Sequence, residues 1–231
     1  MPDAQSGKAA SNRCRCPSFA PLADLLLSQP TVGRNEALES VEIDNEEVRV
    51  LRQKLNPGAK STMHAYAQRL VIPITAVHIR VTLGTGETEE QKRPVGRATW
   101  IKANEQSTQN LSSSTYEAFI IEIKGAAAKP VTPFSPSPDP SHETVELENS
   151  RVQVLRANIP PMAQSRLHPH PNRVVIPLNE QRSRATTDLG KTEERERQRG
   201  QVFWAARNVH KTENLRNLPI DTVIVDLTLS K

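Results

Sequence analysis

The sequence predicts an all-β chain of two tandem jelly-roll β-barrels joined by a proline-rich linker. Three observations lead there. The stretch "VRVLRQKLNPGAKSTMHAYAQRLVIPIT" from Val48 realigns without a gap on "VQVLRANIPPMAQSRLHPHPNRVVIPLN" from Val152, at an offset of 104 residues. Short β-branched runs separated by turn residues dominate both copies. Between the copies lies "GAAAKPVTPFSPSPDPSHE", where closely spaced prolines remove backbone donors and force extended chain.

Residues 1–40 have no counterpart in the second copy. They are expected to form an arm, partly disordered, with a short helix at "PLADLLLSQ". Cys14 and Cys16 sit on this arm in "NRCRCP" without further metal ligands nearby, so they read as exposed thiols. Domain 1 is expected over 41–124, with strands at "VRVL", "LVIPIT", "VHIRVTL", "RATWI" and "AFIIEI". The linker follows over 125–143, with His142 as a linker histidine. Domain 2 occupies 144–231. The common register holds through Arg52/Arg156, Pro57/Pro161, His64/His168, Arg69/Arg173, Gly96/Gly200, Trp100/Trp204 and Asn110/Asn214, which chance does not produce. Domains of this length with many short strands suit a jelly roll, each with its own core.

Composition narrows the function. Of the 231 residues 36% are hydrophobic and only 3% aromatic, so the cores rest on Val, Ile, Leu and Ala. The net charge of +4 is spread over interleaved acids and bases, as in "KTEERERQRG", which is a solvated surface and not a nucleic-acid stripe. No stretch approaches the roughly 18 apolar residues of a membrane helix. A soluble chain is expected, cytoplasmic by preference, although an export signal already removed stays open.

Two motifs in the second copy carry chemistry. "HPH" follows a Pro-rich turn, and "GQVFWAARNVHKTEN" follows a charged hairpin. Together they resemble the two motifs of the cupins, and two copies resemble a bicupin. His168 and His170 match the first-motif histidines; Gly200, His210 and Asn214 match the second motif. Met162 stands at the leading glycine, Ala206-Arg207-Asn208 at the Pro-x-Gly, and Val174 or Val175 at the glutamate. In domain 1 Gly58 and His64 match, but Tyr66 and Gln106 replace the other two histidines, which makes that site degenerate.

The resemblance implies a metal site of His168, His170 and His210 in domain 2. His168 and His170 are two apart, so on a strand they share a face. Three neutral imidazoles suit a divalent first-row ion: Fe, Mn, Ni, Cu or Zn. With the glutamate lost the ion's charge is expected to be uncompensated and to attract a small anionic ligand. Strand patterning suggests where such a ligand sits. The face Val77, Ile79, Val81, Leu83 of domain 1 becomes Gln181, Ser183, Ala185, Thr187 in domain 2. Domain 1 is therefore expected to be filled. Domain 2 is expected to hold a cavity bordered by Ser183, Ala185 and Thr187. Arg173 and its counterpart Arg69 suit either a bidentate carboxylate anchor or a structural salt bridge. Three functions follow: a metal-dependent, dioxygenase-like enzyme acting on a small organic acid, a non-catalytic small-ligand or metal-binding module, or a structural bicupin without catalysis.

Overall fold

Period-two patterning produces strands and nothing else among the described residues, 37–125 and 139–227 of a computed structural model. Domain 1 contains β1 (Ala37–Asp44), β2 (Val48–Leu55), β3 (His64–Tyr66), β4 (Arg69–Pro73), β5 (Val77–Leu83), β6 (Thr88–Arg93), β7 (Thr99–Ile101), β8 (Asn104–Asn110) and β9 (Tyr116–Ile123). Domain 2 repeats them as β10 (Glu143–Glu148), β11 (Val152–Ile159), β12 (His168–His170), β13 (Arg173–Pro177), β14 (Gln181–Thr187), β15 (Thr192–Arg197), β16 (Phe203–Ala205), β17 (Asn208–Asn214) and β18 (Ile220–Leu227). No helix there is long and apolar enough to cross a membrane. The expected helix at residues 21–29, Cys14, Cys16 and the linker prolines up to 138 lie outside the described residues.

Each domain is a five-stranded sheet facing a four-stranded one. The orders are β1-β2-β9-β4-β7 and β3-β8-β5-β6 in domain 1, and β10-β11-β18-β13-β16 and β12-β17-β14-β15 in domain 2. All pairings are antiparallel, the arrangement of a jelly roll. The first strand of each domain carries a register shift at the equivalent place, Val41/Ile43 in β1 and Val145/Leu147 in β10. Such a bulge turns the strand and resets which side chains face inward. β10 begins at Glu143, inside the stretch assigned to the linker, and that one residue matters below.

Each barrel has an interior core, as the repeat suggested, but the largest core is shared between the two domains. β4 and β13 are buried at every position. One face of each looks into its own barrel and the other into a shared core. Val48, Ile72 and Phe119 of domain 1 pack there with Val152, Ile176 and Val225 of domain 2. The packing repeats with the copies exchanged, Gly96 lying against Arg156 and Leu178 and Gly200 against Arg52 and Ile74, and side-chain to backbone hydrogen bonds cross the same seam. Arg52 Nη2 donates to the Gly200 carbonyl at 2.7 Å, and Arg199 Nη2 donates to the Ile74 carbonyl at 2.7 Å. Arg151 Nη2 reaches the carbonyls of Ile123, Lys124 and Gly125 at 2.9–3.0 Å, which ties domain 2 to the end of β9. Trp100 and Trp204 pack half-buried against the rim of this shared core.

The turn before each first motif needs a left-handed residue. Domain 1 supplies Gly58 at φ 76°, whereas domain 2 places Met162 at φ 58°. A Cβ there costs about 1–2 kcal/mol, and Met162 is 65% exposed, so packing returns little. Met162→Gly is therefore expected to stabilise the protein by up to about 1 kcal/mol after glycine's own entropy cost. Thermal melts would read this as a raised midpoint; an unchanged or lowered one would show that the Met162 side chain contributes contacts.

Candidate metal centre

His168 and His170 lie on β12, an edge strand of the four-stranded sheet. An edge tolerates Pro169, because a proline there forfeits no interior ladder bond. His168 pairs directly with His210 on β17, and both are buried. The three rings converge inside barrel 2, with His210 5.4 Å from His168 and 5.3 Å from His170 between centroids.

A carboxylate joins them from an unexpected strand. Glu143 pairs with Ala157, whose small side chain leaves room inside the barrel. Its Oε1 lies 3.2 Å from His168 Nε2 and 3.5 Å from His170 Nε2. Its Oε2 accepts from the Asp139 backbone N–H at 3.2 Å. The Asp139 carboxylate in turn accepts from Arg166 N at 2.8 Å and holds His142 Nδ1 at 3.1 Å, so His142 is part of a structured turn and not of a loose linker. The residues at the cupin glutamate position, Val174 and Val175, are buried apolar, as the sequence implied. The carboxylate itself is not lost, which removes the basis for an uncompensated charge.

The hydrogen positions on two histidines follow from their neighbours. His168 Nδ1 lies 2.7 Å from the Arg166 carbonyl, which can only accept. His170 Nδ1 lies 3.0 Å from the Asp226 carboxylate. Both Nδ1 atoms therefore carry hydrogen, and both Nε2 atoms present lone pairs to each other across 2.9 Å. Two facing lone pairs repel, so the gap is held either by a proton on one Nε2, shared with the other ring and with Glu143, or by a metal ion in its place. For metal–nitrogen bonds of about 2.1 Å the edge between ligands at right angles is about 3.0 Å, and a tetrahedral edge is about 3.4 Å. The Glu143–His168–His170 edges, 3.2, 3.5 and 2.9 Å, lie within about 0.1 Å of that range.

The electrostatics follow from burial and partners. Burial opposes ionisation of Glu143, but hydrogen bonds from His168 and His170 outweigh it and hold its carboxyl down to about 2. Burial also opposes charge on His168, against Glu143 and the Arg166 carbonyl, and the net effect is a raised pKa. His170 is raised in the same way, by Asp226 and Glu143 against burial. His210 goes the other way: burial, then the charges of Arg173, His170 and His168, push it down to about 2. It is a neutral imidazole, and its buried Nδ1 has no partner among the described residues.

Arg173 is buried beside the cluster, and the salt bridge expected for it is not formed. It makes no ion pair among the described residues; its guanidinium donates to Asn208 Oδ1 at 2.9 Å and to the Pro171 and Ala206 carbonyls. Domain 1 repeats this with Arg69 and Asn104 at 3.0 Å. The degenerate site is a hydrogen-bonded network: the Tyr66 hydroxyl lies 3.0 Å from Glu39, and Gln53 Nε2 donates to Glu39 at 2.7 Å. His64 is exposed, and Gln106 is turned to Asn104 and Thr108.

The cavities reverse the expected order. Domain 1 has a half-open cavity of about 640 Å³, whereas the histidines of domain 2 border only about 60 Å³. Ser183 lines the small cavity with Gln181 and Thr222; Ala185 and Thr187 are not on its wall. The cause lies on other strands than β14. Phe203 stands where domain 1 has Thr99, and Arg195 where it has Gln91. The Arg197 guanidinium lies 4.9 Å over the Phe203 ring. These groups line a recess of their own, separate from the histidines. In domain 1 the equivalent mouth and interior are continuous.

Glu143 is the residue that sequence reasoning missed. The signal was the 104-residue offset carried back beyond Val48, where it matches Glu39/Glu143, Val41/Val145, Glu42/Glu146 and Asn45/Asn149.

No protein-family model and no curated protein matches the chain. Solved structures do. AerE from Microcystis aeruginosa superposes at TM-score 0.60 and 12% identity, over 84% of this chain and 98% of that one. Oxalate decarboxylase from Bacillus subtilis, described with Mn(II) centres, gives 0.58 and 13%, over 82% and 72%. Oxalate decarboxylase from Lactobacillus farciminis, as a formate complex, gives 0.55 and 14%, over 81% and 79%. At such identities the likeness speaks for the fold alone.

Proposed function

We propose, on the premise that the chain has the bicupin fold, that barrel 2 holds one divalent first-row metal ion and barrel 1 holds none. The ligands are the imidazoles of His168 and His170 and the carboxylate of Glu143, whose ligand atoms cluster, with the neutral His210 imidazole, whose ring faces both histidines, as the fourth. The observation that carries this is the cluster of two buried Nε2 atoms 2.9 Å apart beside a buried carboxylate oxygen, where a metal ion can replace a shared proton. Asp226 and the Arg166 carbonyl fix the tautomers that aim those lone pairs inward. Manganese in an oxalate decarboxylase of the same fold supports a metal of this class.

A bound ion would act as a Lewis acid toward a water or carboxylate oxygen. The protein's own part is to exclude bulk. A space of about 60 Å³ admits a few water-sized groups or a short organic acid and no more. The enzymatic form of the proposal is a metal-dependent, oxygenase-like reaction of such an acid. Glu143 and Asp226 bring two negative charges to the site, so attraction of an anion rests on the nearby arginines and not on a bare ion. A non-catalytic metal site is the second reading, favoured by the mouth that Arg195, Arg197 and Phe203 close.

Protons and metal compete for the same nitrogens. Because the His168 and His170 values lie above 6.5, protons hold the pair up to a higher pH than free imidazole. Metal affinity is expected to rise with pH through that window and then level off. Binding should release protons, more at about pH 6 than at about pH 8. Calorimetric titration with Mn(II) or Zn(II) in buffers of different ionisation heat counts them; release that does not change with pH would rule out these histidines as ligands.

A further inference from the structure

Domain 1, which lacks the histidine cluster, has the larger cavity, and its chemistry is distinct. At about 640 Å³ it lies within the usual range for small-molecule sites. Val71, Ile79, Val81 and Ile120 form an apolar wall. Two guanidiniums, Arg69 and Arg93, also line it, and neither makes an ion pair among the described residues. Arg69 is fully buried; its guanidinium lies 4.2 Å over the Tyr66 ring and donates to Asn104 and the Ala67 carbonyl, and its Nε has no hydrogen-bond partner. Arg93 donates only to the side chain of Gln91. Its counterpart Arg197 is stacked on Phe203, but Thr99 leaves Arg93 without that ring. Glu87 and Glu89 stand at the exposed rim, and Glu89 accepts from Gln91 at 3.1 Å. Glu39 is taken up by Tyr66 and Gln53. Two buried or half-buried cations on a cavity of mixed polar and apolar lining, without an ion pair, are costly unless an anion joins them.

We propose that barrel 1 binds a monocarboxylic acid with an apolar body, without any metal. The carboxylate sits at the guanidinium of Arg93 near Arg69, and the hydrocarbon lies on Val71, Ile79, Val81 and Ile120. The tandem copies have divided the labour: one keeps metal ligands around a small space, and the other has traded them for Tyr66 and Gln106 and opened a ligand chamber. This site is independent of the metal reading of barrel 2.

The test is calorimetric titration of the full chain, stripped by chelator, with hexanoate and benzoate, and with hexanamide as the uncharged control. At least one acid should saturate at one site per chain at millimolar concentration or below, with hexanamide much weaker. Arg93→Gln, on a half-buried rim residue that leaves the fold intact, should weaken binding about tenfold or more, the loss of one charge-assisted contact. Val81→Asp, which puts a carboxylate into the wall on which the hydrocarbon lies, should weaken it by a similar factor or more, and His170→Ala should leave it unchanged. Failure of both acids to saturate overturns the proposal. So does binding that is insensitive to Arg93→Gln, or binding that disappears in His170→Ala.

Discussion

Gly96→Val is expected to destabilise the protein by about 3 kcal/mol or more and to loosen the two domains from each other. Gly96 has φ 77°, a region that β-branched residues avoid. A Cβ there would collide with the Arg156 guanidinium and a Leu178 methyl of domain 2. Neither neighbour can give way cheaply. Arg156 is locked onto Asp221 by two hydrogen bonds, and Leu178 belongs to the shared core. The equivalent change at Gly200 should cost less, because a Cβ there would approach Ile74 only to 3.3 Å. Denaturant unfolding of both variants gives the ranking; a Gly96→Val protein as stable as the parent would mean that the domains can shift apart freely.

Removing the carboxylate is the second change of large effect. Glu143→Gln keeps the size of the side chain but loses the charge. Outer-shell partners of metal ligands are worth about 10–100-fold in affinity, so loss of a direct ligand should cost about 100-fold or more. Asp226→Asn, acting only through the His170 Nδ1–H, should fall within that 10–100-fold range. His170→Ala should abolish binding. All three proteins should stay folded, because the shared core and the barrel 1 core contain none of these residues. Competition against a chromophoric chelator measures the series. Glu143→Gln with unchanged affinity would remove Glu143 from the ligand set.

The repeat made the fold legible. One offset, carried by Arg52/Arg156, Pro73/Pro177 and Trp100/Trp204, implied two like domains, and β-branched runs such as "VHIRVTL" implied strands. The shared core was only half visible: "RLVIP" is apolar on both faces, which signals burial on both sides but not the partner. β1 and β10 escaped notice because edge strands such as "ETVELE" carry charges and little alternation. Glu143 escaped with them. The histidine trio was legible because His168 and His170 share a pleat and His210 sits opposite. The cavities were misjudged because one strand face, Ser183 and Ala185 against Ile79 and Val81, was weighed alone. Volume in a barrel depends on every strand, and here Phe203 and Arg195 decide it.

The central claim is that the second barrel is a metal site and the first is not. Elemental analysis of the full chain, purified without a histidine tag and reloaded with Mn(II), Fe(II) or Zn(II) after chelation, tests it most directly. The expected result is about one ion per chain for the parent and none for His170→Ala, with Tyr66→Phe unchanged. A parent protein that takes up no ion at any of these reloadings, or a His170→Ala protein that still holds one, would contradict it.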